Sequence, residues 1–362
     1  MKCVFISLSI GDNKVHNYYK ELGNSFLKHN YKVVYIYDNQ VVNLPESGDG
    51  IYYYTWPSSR PTKFKDFKFL QKLIKIHQPD ICISIFGAVN VMTLVSYFNG
   101  VKNRIAWIRT TNKQITLDSK NILKSKILNL RKRFVYKLLT QVYANSNGTR
   151  LNAIKTFKIK EDKIKVLHNL TNKSDIGLKP FKDREFSITI VGRLNLSKGH
   201  KELLTQFKEL VIIYPLLTLN IIGDGYLKEE LIRYVDELDI VKNVIFHGNV
   251  SNNLISTFFS KTLIGVSASY SEAFGWVNIE ALREGTPIIS TKTEGAEDII
   301  IENNNGLFFT HSNVNSLKEN IEEIISKWDQ YSKGAIEVFT TKFSIENQIE
   351  NHCDIILKDL NN

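Results

Sequence analysis

Short β-like apolar runs alternate with stretches of helical period along the whole chain, and nothing else in the sequence limits the fold so tightly. In the first half the runs are residues 4–8, 31–37, 81–86, 104–109 and 141–146. Residues 187–193, 217–222, 244–248, 263–267 and 287–290 are their counterparts in the second. Strands separated by helices pair in parallel, so the expected class is α/β. A chain of 362 residues has length for about two domains, each with its own core. The polar stretch 171–185, holding Gly177 and Pro180, reads as the connection between them.

Charge is unevenly divided. Residues 1–180 carry 30 Lys and Arg against 11 Asp and Glu, a balance of +19; residues 181–362 carry 17 against 26, a balance of −9. The basic half implies an anionic partner: a membrane surface, a nucleic acid or a phosphorylated acceptor. Residues 119–139 interleave Lys120, Lys124, Lys126, Arg131, Lys132, Arg133 and Lys137 with Ile127, Leu130, Phe134 and Leu138. Such an amphipathic helix serves either as a core-facing element with a solvated basic face or as a surface for anionic lipid. Against nucleic acid stands the scatter of the basic residues over many elements, with no stacking set of aromatics among them. Residues 81–101 contain no charged residue, but Gly87 and Asn90 interrupt them and a buried strand followed by a helix is expected there. Cys3, Cys82 and Cys353 are few and far apart, as expected for free thiols in a reducing compartment. The first residues read as a strand and not as a signal peptide.

The richest local pattern is residues 271–282. Glu272 and Glu280 stand eight positions apart around Gly275, after the β-like run 263–267 and before the helix stop at Gly285. On one continuous helix they would lie about 12 Å apart and off a common face. The pattern therefore predicts strand, tight turn, helix, with Glu272 in the turn and Glu280 in the helix. Backbone N–H groups from Phe274 to Val277 would face outward at a positive helix end, a seat for phosphate or sugar oxygens. A surface pair of glutamates flanking an ordinary turn fits the spacing as well. Arg193 and Lys198, five apart after another run, could grip a pyrophosphate, with Gly199 letting the backbone approach.

Several motifs occur in a fixed order: Val191-Gly192-Arg193-Leu194 with Lys198-Gly199, Ile222-Gly223-Asp224-Gly225, and Phe246-His247-Gly248. They continue with Ser271-Glu272-Ala273-Phe274-Gly275, Glu280-Ala281 and Gly285-Thr286-Pro287. In order and spacing they resemble retaining glycosyltransferase family 4. The likeness covers residues 187–310 closely and the first half loosely. It implies a GT-B fold, two Rossmann-like domains facing across a cleft. Residues 1–170 would bind the acceptor and 186–344 the nucleotide sugar, with helix 345–362 crossing back to the first domain. It also implies a hexosyltransferase-type enzyme building bacterial surface polysaccharide, in O-antigen, capsule or lipopolysaccharide. The donor would be a nucleotide sugar and the acceptor a glycan or lipid-linked sugar. The site would be cytoplasmic, at the inner face of the plasma membrane where the basic half meets lipid.

By the same resemblance Arg193 and Lys198 neutralise the departing diphosphate, so that no metal and no cofactor is required. Glu272 and the backbone of Ala273, Phe274, Gly275, Trp276 and Val277 face the donor sugar. Glu280 holds the ribose, and Gly223, His247, Gly248 and Val250 lie around the nucleotide. The chain departs from the family in three places, one being Gly295-Ala296-Glu297-Asp298, where Asp298 takes the place of a glutamate. Only Gly11 stands where a Gly-Gly pair usually approaches the phosphates, and Arg109 stands near the place of a histidine. Arg109 would act in its stead, meet a phosphorylated acceptor, or pair with an acid. An epimerase or hydrolase on the same fold, needing no acceptor, is the alternative activity.

Overall fold

A computed structural model describes residues 1–8, 13–38, 44–111, 122–313 and 315–360. The chain forms two units, the first from Met1–Arg109, Asn121–Thr171 and Ile345–Asn362, the second from Thr110–Lys120 and Asn172–Ser344.

Unit 1 is built on seven parallel strands: β1 (Lys2–Leu8), β2 (Tyr31–Tyr37), β3 (Ile51–Thr55), β4 (Ile81–Ser84), β5 (Asn103–Ile108), β6 (Gln141–Ala144) and β7 (Ile164–Val166). Their order is β3-β2-β1-β4-β5-β6-β7, with the winding direction reversing between β1 and β4. β1, β2 and β4 are almost wholly buried, which is why their sequences are continuous apolar runs and not alternating ones. The uncharged stretch resolves into β4 and the helix Val89–Phe98. β3 was not anticipated; its residues are all half-buried at the sheet edge, so Tyr52, Tyr53 and Tyr54 carry no core-strand pattern. It is fixed by pairing with β2, where the Tyr35 and Tyr53 rings stack at 5.6 Å.

The helix Ile345–Asp359 completes unit 1, lying against the helix Asn13–Lys28. Ile349, Cys353 and Ile356 are its buried face. The Tyr143 hydroxyl donates to Asp359 Oδ2 at 2.9 Å, and Lys165 pairs with the same carboxylate. Cys3, Cys82 and Cys353 are buried and unbridged.

His352, inside that helix contact, has Nδ1 2.9 Å from the Tyr18 hydroxyl. Burial, helped by nearby His168, lowers its pKa to about 3. An imidazole in the unfolded chain titrates near about 6.5. Between the two values the unfolded chain holds more protons, so stability is complete above about pH 6.5 and drains away as the pH falls toward 3. From pH 7 to pH 5 this single group is expected to cost about 2 kcal/mol. Thermal melts at both pH values should show it, and His352→Gln should cut the slope by about 1 kcal/mol per pH unit. An unchanged slope in the variant rejects the assignment.

Unit 2 has six parallel strands, β8 (Glu185–Val191), β9 (Thr218–Ile222), β10 (Val244–Gly248), β11 (Thr262–Ser267), β12 (Ile288–Thr291) and β13 (Gly306–Phe309). They run in the order β10-β9-β8-β11-β12-β13, so the reversal falls between β8 and β11. Residues 172–184, read from composition as a connection, pack with this unit. Arg184 is buried and donates to the carbonyls of Phe259 (3.0 Å), Thr262 (2.9 Å) and Glu284 (2.7 Å) and to Thr286 Oγ1 (2.7 Å). Its guanidinium lies over the Trp328 ring at 4.6 Å. Ser174 Oγ donates to the buried Glu284 carboxylate at 2.6 Å. After β13 the described chain forms the helix Ser316–Ser326 and then a second helix, Trp328–Val338. The Trp328 indole N–H donates to the Leu263 carbonyl at 2.8 Å and so starts the second helix in the core. Among the described residues no helix is long and apolar enough to cross a membrane.

Candidate functional site

In an open parallel sheet the loops on either side of the reversal part to opposite faces and leave a crevice at the strands' carboxyl ends. In unit 2 those loops follow β8 and β11. The first carries Arg193 and Lys198 and the second Glu272. Gly199 closes the first loop with φ +65°, and a Cβ there would lie 2.0 Å from the Ala268 carbonyl oxygen. The two loops therefore touch backbone to backbone, which only glycine permits. This contact brings Lys198 Nζ onto Glu272 Oε2 as an ion pair, with 17% and 18% of the side chains exposed.

The Glu272 turn is held from below. Glu294 Oε2 accepts from Ser271 Oγ at 3.1 Å and from the Glu272 N–H at 3.4 Å, and the Gly295 N–H donates to the Glu272 carbonyl at 2.9 Å. Phe274 is buried, edge-on to Trp276 and Phe343. Gly275 then turns with φ +96° and caps the helix Trp276–Arg283. The strand, turn, helix reading of residues 263–283 is thus what the chain adopts, with the positive helix end beside an ion pair. A cavity of about 170 Å³ opens there, lined by Lys198, Glu272, Trp276 and Val277, and also by His200 and Asn278.

The other expected residues fall around this centre. Arg193 is exposed, in a loop pinned by the Leu194 N–H to the Asp224 carbonyl (3.0 Å) and the Leu227 N–H to the Leu194 carbonyl (3.1 Å). The Gly223 N–H donates to the Gly248 carbonyl at 2.8 Å, tying the ends of β9 and β10. His247 Nε2 donates to Asn220 Oδ1 at 2.8 Å and its ring meets Phe258 edge-on. Burial lowers the pKa of that imidazole. Val250 packs against the apolar cluster around Phe274 and Ile279. Ala273 and Glu280 are buried, Glu280 inside the helix and outside the lining of the cavity. Arg109 belongs to unit 1, where it donates to Asn169 Oδ1 at 2.7 Å and stands 6.0 Å from the Phe86 ring centre. Gly11 lies outside the described residues.

Three residues of the site were passed over in the sequence. Glu294 lies just past the end of β12, and His200 and Asn278 stand in the first turns of the helices that follow β8 and β11, the signal that could have found them. Burial and the Lys198 charge lower the His200 pKa to about 4, so its imidazole is neutral at neutral pH. No grouping of three or more His, Cys, Asp or Glu side chains suited to a metal occurs among the described residues. A cation held by a carboxylate at a helix start is a site for a ligand rich in anionic and hydroxyl oxygens, the cation exchanging one carboxylate for another oxyanion.

Residues 173–336 match the family of group 1 glycosyl transferases. Over 308 residues, 83% of each chain, the sequence is 25% identical to a Campylobacter jejuni enzyme. That relative is the N-acetylgalactosamine-N,N'-diacetylbacillosaminyl-diphospho-undecaprenol 4-alpha-N-acetylgalactosaminyltransferase. The fold resembles that of HepE from Anabaena, solved with UDP, with a TM-score of 0.73 at 16% identity over 99% of this chain and 100% of that one. It also resembles the lipopolysaccharide outer core galactosyltransferase WaaB, with a TM-score of 0.73 at 20% identity over 99% and 100% of the two chains.

Proposed function

We propose that the chain, whose residues 173–336 match the group 1 glycosyl transferases, is a glycosyltransferase that moves a hexose from a nucleotide sugar to a glycan or lipid-linked acceptor with retention. The observation that carries this reading is the Lys198–Glu272 pair, set where the strand order reverses and beside the start of the helix Trp276–Arg283. Lys198 and Arg193 neutralise the diphosphate as the bond from the anomeric carbon to phosphate oxygen breaks. The electron pair leaves with that oxygen. The acceptor hydroxyl forms the new bond on the same face, and its proton passes to the departing phosphate. Fixed cations aimed at developing charge supply what a metal supplies elsewhere, so none is required. Glu272 faces the sugar and Glu280 the ribose.

A surface glycan is the proposed product, in keeping with the lipid-linked acceptor in the name of the Campylobacter relative and the lipopolysaccharide in that of WaaB. The reading is tested by incubating the protein with nucleotide sugars, with and without lipid-linked acceptors. Acceptor-dependent nucleotide release is expected. Isomerisation of the sugar without acceptor would turn the reading to the epimerase alternative. Salt-sensitive nucleic-acid binding with neither activity would end it.

The proposed site of action is the inner membrane face. Leu130 and Phe134, four apart on the helix Ile122–Lys137, are both exposed next to Arg131 and Arg133. Apolar anchors among cations suit an anionic bilayer. Leu130→Glu with Phe134→Glu should lower sedimentation with phosphatidylglycerol vesicles about tenfold while leaving melting temperature within about 2 °C. Equal sedimentation of variant and wild type would remove the membrane from the account.

A further inference from the structure

His200 and Asn278 take no part in the chemistry above, yet both line the cavity that Lys198 and Glu272 share. They arrive from different loops, His200 directly after Gly199 and Asn278 in the first turn after Gly275. His200 is 2% exposed and Asn278 1%. Neither ring nitrogen of His200, and neither side-chain atom of the Asn278 amide, has a hydrogen-bond partner among the described residues. Four orphaned polar atoms around one small cavity form a costly arrangement. Buried amides and imidazoles are nearly always paired, and an apolar side chain of the same size would avoid the cost.

We infer that His200 and Asn278 form the polar floor of the donor site and bind a hydroxyl of the sugar being transferred. This rests on the transferase reading and adds to it which side chains sense the sugar. The chemistry of the floor selects the ligand group. A neutral imidazole offers one donor and one acceptor, and a carboxamide offers both kinds as well. Phosphate oxygens only accept, and they are served by Lys198, Arg193 and the helix start. A hydroxyl gives one hydrogen bond and takes others, matching a surface that does the same. The low His200 pKa agrees, since a charged imidazole would present donors alone.

The test compares wild type with Asn278→Leu and His200→Leu. Donors are UDP-glucose, UDP-galactose, their N-acetylamino forms and GDP-mannose; UDP and GDP serve as sugar-free probes. For the donor preferred by wild type, kcat/KM should fall about 10- to 100-fold in either variant. The Kd of UDP or GDP should stay within about twofold. Asn278→Leu should melt at or above the wild-type temperature, because an unpaired buried amide has been removed. Equal losses of sugar and free-nucleotide affinity, or no loss of either, would reduce the pair to a structural role and overturn the inference. Should the variants not fold, a structure of wild type with its nucleotide sugar decides. A donor oxygen within hydrogen-bond distance of either side chain supports the floor, and none within reach refutes it. Wild type that binds no nucleotide or nucleotide sugar at all defeats the transferase reading and this inference together. Wild type that binds them while both variants are indistinguishable from it defeats this inference alone.

Discussion

Lys198→Ala should lower kcat/KM for acceptor-dependent nucleotide release by a factor of about 10² to 10³, the range for loss of one preorganised group that stabilises developing charge. The ion pair with Glu272 makes the expectation sharper than a simple loss of activity. In the ligand-free protein the ammonium is occupied by a carboxylate, so an incoming diphosphate competes with Glu272 for it. Removing the lysine should therefore weaken UDP or GDP binding as well as turnover. Glu272→Gln should do something different. Turnover should fall by a factor of about 10² or more, while the free nucleotide binds as tightly as before or tighter, its competitor having lost its charge. Calorimetric titration of UDP and GDP into the two variants separates these outcomes. Near-normal turnover in both, or equal weakening of nucleotide binding in both, would mean that the pair does not face the donor.

Arg184→Leu should cost unit 2 about 3–5 kcal/mol, the usual penalty for removing one member of a buried charged network. The guanidinium serves four carbonyls, that of Lys179 among them, and a threonine hydroxyl, and covers an indole face. Without it the carbonyls of Thr262 and Glu284 lose the buried donor they share. Burial lowers its pKa to about 10, so the charge is present at neutral pH. At about 2–4 °C per kcal/mol for a unit of this size, the melting temperature should drop by about 10 °C. Arg184→Lys keeps the charge without the planar fork and should recover less than half of the loss. Melting of Arg184→Leu within about 2 °C of wild type would show that the network adds nothing.

Much of this architecture could be read from residue order. Buried strands wear their apolar character openly, so both parallel sheets and the turn at Glu272 were anticipated. What escaped had physical reasons. β3 is a half-buried edge strand of tyrosines, and pairing with β2, not periodicity, makes it a strand. Residues 171–185 read as a linker because they are polar and hold Gly177 and Pro180, whereas the buried Arg184 ties them to the second unit. His200 and Asn278 are 78 positions apart by their numbers. Each is a polar residue at a helix start, where solvent is the usual neighbour. Only the meeting of two loops across Gly199 and Ala268 puts them into one cavity.

The return of the helix Ile345–Asp359 to unit 1 also governs how the molecule is born. While a ribosome is still making residues 172–344, the earlier unit must wait with the seat of Ile349, Cys353 and Ile356 uncovered, and Tyr143 without its carboxylate partner. The later unit, by contrast, needs nothing that is translated after Ser344. Start and completion are thereby inverted: the part begun first is the part completed last.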